Sequence, residues 1–299
     1  MMNNSEILFL YDAKLTNPNG DPDEENRPRM DYEREINLVS DLRLKRYIRD
    51  YLAEKGYKIF VSKLDGKSVR PGEIINNLKE NLGQKDKLTD DDLLNAFIDV
   101  RLFGATMPVE KDTRTFTGPV QFNWGQSLNK VEIIEASITS HFSTSDKNEQ
   151  GAIGKDYRVK YSFIAFSGVV SGNRGKYTNL TEEDVLKLDE AFVKAIPLQA
   201  TRSKIGQYPR LYLRLQYKDS ETILGDLRSF VKLDCIEDSP RDITEVTLDV
   251  TNLQRFLQDN KEKIEKVRYY VHPQLVMKIN GEQVGINNLL GDLSFEEVR

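Results

Sequence analysis

Glu6-Ile7-Leu8-Phe9-Leu10-Tyr11 and, after a polar gap, Ser40-Asp41-Leu42-Arg43-Leu44-Lys45-Arg46-Tyr47-Ile48 decide the fold. The first stretch is apolar without alternation, which predicts a central strand over 6–15 buried on both faces. The second begins a helix over 40–55, because Leu44, Tyr47, Ile48, Tyr51 and Leu52 share one face. Ser40 or Asp41 can cap its start, and Gly56 is placed to end it. Tyr57 to Val61 reads as a second strand. Strand signals return at 131–140 and 159–170. A helix over 181–196 carries Glu182, Glu183 and Asp184 in its first turn and Pro197 as its stop. Leu211, Leu213, Leu215 and Tyr217 then alternate with Tyr212, Arg214 and Gln216, the pattern of a strand. A strand through Val246, Leu248 and Val250, a helix near 253–266 and a strand near 269–279 follow.

Residues 62–130 interrupt this series. They hold a helix capped by Thr89, with Leu93, Leu94, Phe97, Ile98 and Leu102 as its core face and Gly104 beyond its end. The stretch 117–125, with the only tryptophan, reads as loop, as does 16–37, where Asn17-Pro18-Asn19-Gly20-Asp21-Pro22 excludes helix. The order is strand, helix, strand, insertion, strands, helix, strand. That is an α+β chain on the split βαβ plan: one RRM-like (ferredoxin-like) domain over 1–299 with a large insertion at about 62–130.

The 299 residues can bury a sizeable core, and no apolar run reaches the ~20 residues of a membrane-spanning helix. The N-terminus lacks the pattern of a signal peptide, and a single cysteine, Cys235, suits a reducing cytoplasm. Two histidines, His141 and His272, cannot build a multi-histidine metal site; each reads as a surface or core residue. Cys235 beside Asp234 reads as structural. The phosphate-loop, dinucleotide and nucleophile-elbow motifs are all missing. A metal-dependent nuclease could use Asp12 with Asp21 or Asp23, although a solvated acidic turn is the favoured reading. No cofactor is expected.

With 43 Lys+Arg against 48 Asp+Glu the net charge is −5, which argues against nucleic acid until it is mapped. From Gln199 to Lys218 there are five basic residues and no acid; from Lys155 to Lys176 there are five and one acid. These segments contribute Arg174, Lys176, Arg202, Lys204, Gly206, Tyr208 and Arg210. Basic side chains, glycines and an aromatic suit contacts to a single-stranded backbone, as they also suit an ordinary solvated loop. Arg43, Lys45 and Arg46 crowd the start of the first helix, where the dipole favours anions. A bound phosphate would explain them; so would a mixed-charge surface offset by Asp41 and Asp50.

These residues are also familiar in series. Asn17 to Pro22, Arg27-Pro28-Arg29 and Val39 to Arg49 resemble the opening of the CRISPR-associated backbone subunits of type I Cascade. The variant resembles type I-B (the Csh-two branch of the Cas-seven family, RAMP superfamily). Arg101 to Gly104, Gly118 to Phe122 and Arg202 to Tyr208 recur in the family's order, so the resemblance spans about residues 6–217. It implies a non-catalytic, cytoplasmic RNA-binding protein with an RRM-like palm, inserted subdomains and a thumb-like region, placed here at about 199–210. Copies would stack head to tail along one CRISPR RNA and present it to target DNA. They would work beside a large subunit, a capping subunit and a repeat-processing endonuclease, with no membrane. The helix-opening stretch that contacts the guide backbone corresponds to Ser40, Arg43, Lys45, Arg46 and Arg49, and the opening motif adds Asn19, Arg27 and Arg29. No aromatic RNP motif is present, so recognition should rest on backbone and shape.

Overall fold

The structure is a computed structural model that describes residues 2–64, 66–83, 88–109, 112–139 and 153–299. Ser5–Thr16 is a strand at the middle of a ten-stranded sheet. Across the sheet the order is Phe295–Glu297, Ile264–Val271, Gln207–Tyr217, Ser5–Thr16, Ile153–Val170, Gly125–Ser127, Ile36–Val39 and Met30–Asp31. Val120–Phe122 and Ile133–Thr139 also pair with Ile153–Val170. The unbroken apolar run explains the central place. Ile7, Phe9 and Tyr11 enter one core while Leu8 and Leu10 enter another, all essentially inaccessible. Each such side chain contributes about 1.5–3 kcal/mol relative to exposure.

The first core lies beneath two helices, Asp41–Glu54 and Glu182–Leu198. Ser40 caps the former, and Gly56 follows its end with φ 88°. Thr181 caps the latter, and Pro197 sits inside its last turn. The alternating strand Gln207–Tyr217 divides as its pattern predicts: Leu211, Leu213, Leu215 and Tyr217 face the second core, while Tyr212 faces the first. Arg214 is on the helix side and fully buried, because Asp189 meets its guanidinium at 2.8 Å through two nitrogens. Asp189 also accepts from Tyr212 Oη at 2.5 Å and pairs with Arg268 at 2.7 Å.

The second core is covered by the C-terminal region, which sequence patterning resolved poorly. A small sheet in the order Lys232–Cys235, Val246–Asp249, Met277–Ile279, Glu282–Val284 packs there with the helix Thr251–Asp259. The expected strand 269–279 is two strands in different sheets, Ile264–Val271 and Met277–Ile279, with Pro273 in the link between them. The expected helix over 253–266 is correspondingly shorter, because Ile264 already belongs to the large sheet.

Three further expectations are corrected. Tyr57 to Val61 is not a strand: the Phe60 and Val61 N–H groups donate to the Asp99 carboxylate, at 2.8 and 3.1 Å, instead of to a ladder. The helix after Thr89 is two helices, Asp90–Ala96 and Ile98–Phe103, broken where Phe97 turns extended to pack on Phe60. The stretch 117–125 contains strand Val120–Phe122 and leads into Gly125–Ser127. A third hydrophobic cluster, including Ile75, Leu78, Leu93, Phe97 and Val100, lies within 60–107. Two buried ion pairs tie it to the long helices: Arg49–Asp99 at 2.9 Å and Arg101–Asp184 at 2.8 Å. Among the described residues, no helix is long and apolar enough to cross a membrane.

Candidate nucleic-acid interface

Three segments distant in sequence meet where the first long helix begins. Asn19 Oδ1 accepts from the Ser40 N–H at 2.8 Å and from the Ser40 hydroxyl at 2.9 Å, while Ser40 Oγ accepts from the Arg43 N–H at 3.2 Å. The Asn-Pro-Asn-Gly turn is thereby fixed to the helix start, leaving the remaining first-turn N–H groups directed outward. The third segment is 199–206. The Asn17 N–H donates to Ser203 O at 3.0 Å, and the Lys204 ammonium donates to the Asn17 carbonyl. Gly206 adopts φ 97° so that its carbonyl can accept from the Lys14 N–H at 2.8 Å; a Cβ there would lie 2.5 Å from Lys14 O.

Two cations at this junction lack a carboxylate partner among the described residues. Arg43 lies with its guanidinium 3.9 Å over the Tyr47 ring, and its buried Nε has no hydrogen-bond acceptor. Lys204 contacts only backbone carbonyls; burial, and then the neighbouring Arg43, push its ammonium down to about 7. Both line an open groove of about 670 Å³ with Arg46, Asp50, Leu198 and Thr201. Arg46 pairs with Asp50 at 2.9 Å. Arg202 pairs with Asp156 at 3.1 Å but keeps 63% of its side chain exposed.

Other sequence-predicted contacts are engaged internally. Lys45 is buried between Asp41 and Gln121, each at 3.0 Å. Arg49 is held by Asp99. Arg210 is not in a loop: Gln207–Tyr217 is already strand, and Arg210 pairs with buried Asp12 at 2.8 Å. All three expected contacts thus have a carboxylate partner inside the fold. Arg27 stacks over Tyr157 at 4.5 Å, and Arg29 pairs with Asp21 at 2.6 Å. Tyr208 keeps a largely exposed ring beside Arg210.

The two basic segments do not converge as wholes. Arg158 joins the groove side, donating to Leu15 O at 2.9 Å and Arg202 O at 3.3 Å. Arg174 and Lys176 lie at the other end of Ser5–Thr16, where the Gly172 N–H donates to Asn4 Oδ1 at 2.9 Å. A strand of 12 residues separates the ends by about 40 Å.

The carboxylates of the nuclease alternative are also apart. Asp12 is 2% exposed, accepts from Tyr161 Oη at 3.1 Å and is shifted upward by burial. Asp21 is spent on Arg29 and on the Asp23 N–H. Among the described residues no group of three or more His, Cys, Asp or Glu side chains could hold a metal ion. His272 sits 2.9 Å from Arg210, and burial lowers its pKa; His141 lies outside the described residues. Burial, then Asp234, pushes the Cys235 thiol up, away from reactivity.

The sequence reading passed over Trp124. Val39 pairs with Gly125 at the last step of their ladder, and Trp124 immediately precedes Gly125 in the chain. An isolated tryptophan flanked by asparagine and glycine was the available signal.

A protein of Haloferax volcanii described as CRISPR-associated protein Cas7 is 35% identical over 319 aligned positions, covering 98% of this chain and 94% of its own. A chain of a solved "CRISPR RNA-guided surveillance complex, pre-nicking" superposes with a TM-score of 0.55 at 12% identity, covering 99% of this chain and 97% of its own. A chain of a second "CRISPR RNA-guided surveillance complex" gives 0.52 at 15% identity, with 98% and 94% covered. The model of the family "CRISPR-associated protein Cas7" matches residues 3–251, so that with the Haloferax relative the conclusion is direct: this chain belongs to the Cas7 family.

Proposed function

We propose that this protein is a non-catalytic backbone subunit of a CRISPR RNA-guided complex, of type I-B Cascade, that grips the guide RNA through its phosphates. The observation that carries the reading is the pair Arg43 and Lys204. Two basic side chains without a carboxylate partner among the described residues, beside a serine-capped helix start, suit a phosphate. Ser40, Arg46 and Arg202 border it, and the Asn19 turn holds it in place. The two superposed chains belong to CRISPR RNA-guided surveillance complexes, which fits this chemistry.

On this reading the large sheet with its two helices is an RRM-like palm within a single domain, and the insertion at about 62–130 is a subdomain on it. The segment at about 199–210 supplies the basic part of the thumb-like region. Copies would associate head to tail along the guide, with the large subunit, capping subunit and endonuclease as neighbours and target DNA met through base pairing. The cell compartment would be the cytoplasm.

The test is Arg43→Glu with Lys204→Glu, read as RNA affinity by fluorescence anisotropy at moderate salt. A charged hydrogen bond contributes ~1.5–3 kcal/mol, so affinity should fall at least about tenfold while circular dichroism is unchanged. The salt slope should flatten, and spacer sequence should matter little. Unchanged affinity in the double variant would overturn the site.

A further inference from the structure

We infer that Trp124 is a stacking platform for one base of the bound RNA strand, set beside the phosphate site at the start of the first long helix. The inference rests on the guide-binding reading above and extends it from phosphates to a base.

Trp124 is 45% exposed, a large aromatic surface left open in the link between the strands Val120–Phe122 and Gly125–Ser127. Among the described residues its ring meets one charged group, the Arg29 guanidinium at 6.0 Å. Its position is fixed from three sides. Gly125 follows it with no room for a side chain, since a Cβ would lie 2.4 Å from the Phe166 ring. The Asn123 N–H donates to Ser167 O at 3.0 Å. The Trp124 carbonyl accepts from Arg228 Nη1 at 2.7 Å, and Arg228 is itself clamped on Asp226. The backbone that carries the ring therefore needs no ordering for the ring to stack.

The surroundings specify a nucleotide over a purely apolar partner. Asn19 joins Ser40 to the Trp124 side: its Oδ1 holds Ser40, and its carbonyl accepts at 3.0 Å from the N–H of Arg29, whose guanidinium lies toward the indole. A polar, cationic rim with a helix start on one side and an indole face on the other matches a phosphate followed by its base. Stacking uses the π-face that every base presents, so it requires no fixed sequence.

The experiment uses the full chain, whose only tryptophan is Trp124, so its intrinsic fluorescence reports this residue alone. Unstructured single-stranded RNA is titrated in while a label on the RNA reports binding by anisotropy. Quenching of emission that saturates with the anisotropy change supports the inference. Heparin, a polyanion without bases, should bind with little quenching. Trp124→Leu should weaken RNA binding about fivefold or more with an unchanged salt slope, and Trp124→Phe should recover most of it. Three results would overturn the inference: RNA binding with unchanged emission, Trp124→Leu binding as tightly as the parent, or emission that shifts with protein concentration alone. Absence of any anisotropy change would overturn the guide-binding reading itself, and this inference with it.

Discussion

RNA affinity should depend on pH through Lys204. Its ammonium is pushed from the ordinary 10.5 down to about 7 by burial, with Arg43 as the second cause. The other charged groups lining the groove are Arg46, Asp50 and Glu54. A phosphate in the groove favours the ammonium, so the pKa of the complex lies above that of the free protein. Below about pH 7 both states carry the proton and affinity is flat. Above it the free protein must take up a proton to bind, and each pH unit costs up to about tenfold until the complex also titrates. Between pH 7 and 8.5 the loss can reach about sixteenfold. Anisotropy titrations over pH 6–9 at constant ionic strength measure it. Lys204→Arg keeps the charge throughout and should bind with a flat profile. A flat profile in the parent protein, or the same slope in Lys204→Arg, would refute the reasoning. Folding responds with the opposite sign. The unfolded chain binds this proton more readily, so RNA-free protein gains stability from Lys204 as pH rises from about 7 towards 10.5.

Asp189→Asn should destabilise the fold by about 3–5 kcal/mol in urea unfolding, because it strands the buried guanidinium of Arg214 and weakens the tether of Arg268. A loss under about 1 kcal/mol would show that this network is not the anchor between the second long helix and the sheet. Gly206→Ala should cost about 1–3 kcal/mol and also weaken RNA binding, since φ 97° and Lys14 O both exclude the methyl group and the Lys204 segment must shift. Wild-type stability and affinity in that variant would count against the proposed placement of 203–206.

The local elements were legible because local elements are encoded locally. The run Ile7 to Tyr11 announces a strand with two buried faces, and Leu44 to Leu52 announces a helix, because apolar spacing repeats with the pleat or the turn. Ser40 and Gly56 mark its ends through the same short-range geometry. The series from Asn17 to Arg49 also carries the family. The C-terminal region was harder: the strands of its small sheet have three or four residues, so each leaves too short a pattern to read.

Sequence by itself thus determined the central strand, the helices that cover it, their caps and the kinship of the chain. Only the tertiary structure decided what each charge does. Lys45, Arg49 and Arg210 look as available as Arg43 and Lys204 when written in a line, yet the fold gives the first three to Asp41, Asp99 and Asp12 and leaves the last two without a carboxylate partner among the described residues. Two of those three carboxylates lie far along the chain from their partners. Whether a cation is neutralised or left for a phosphate is a matter of distance in space, which no spacing along the chain records.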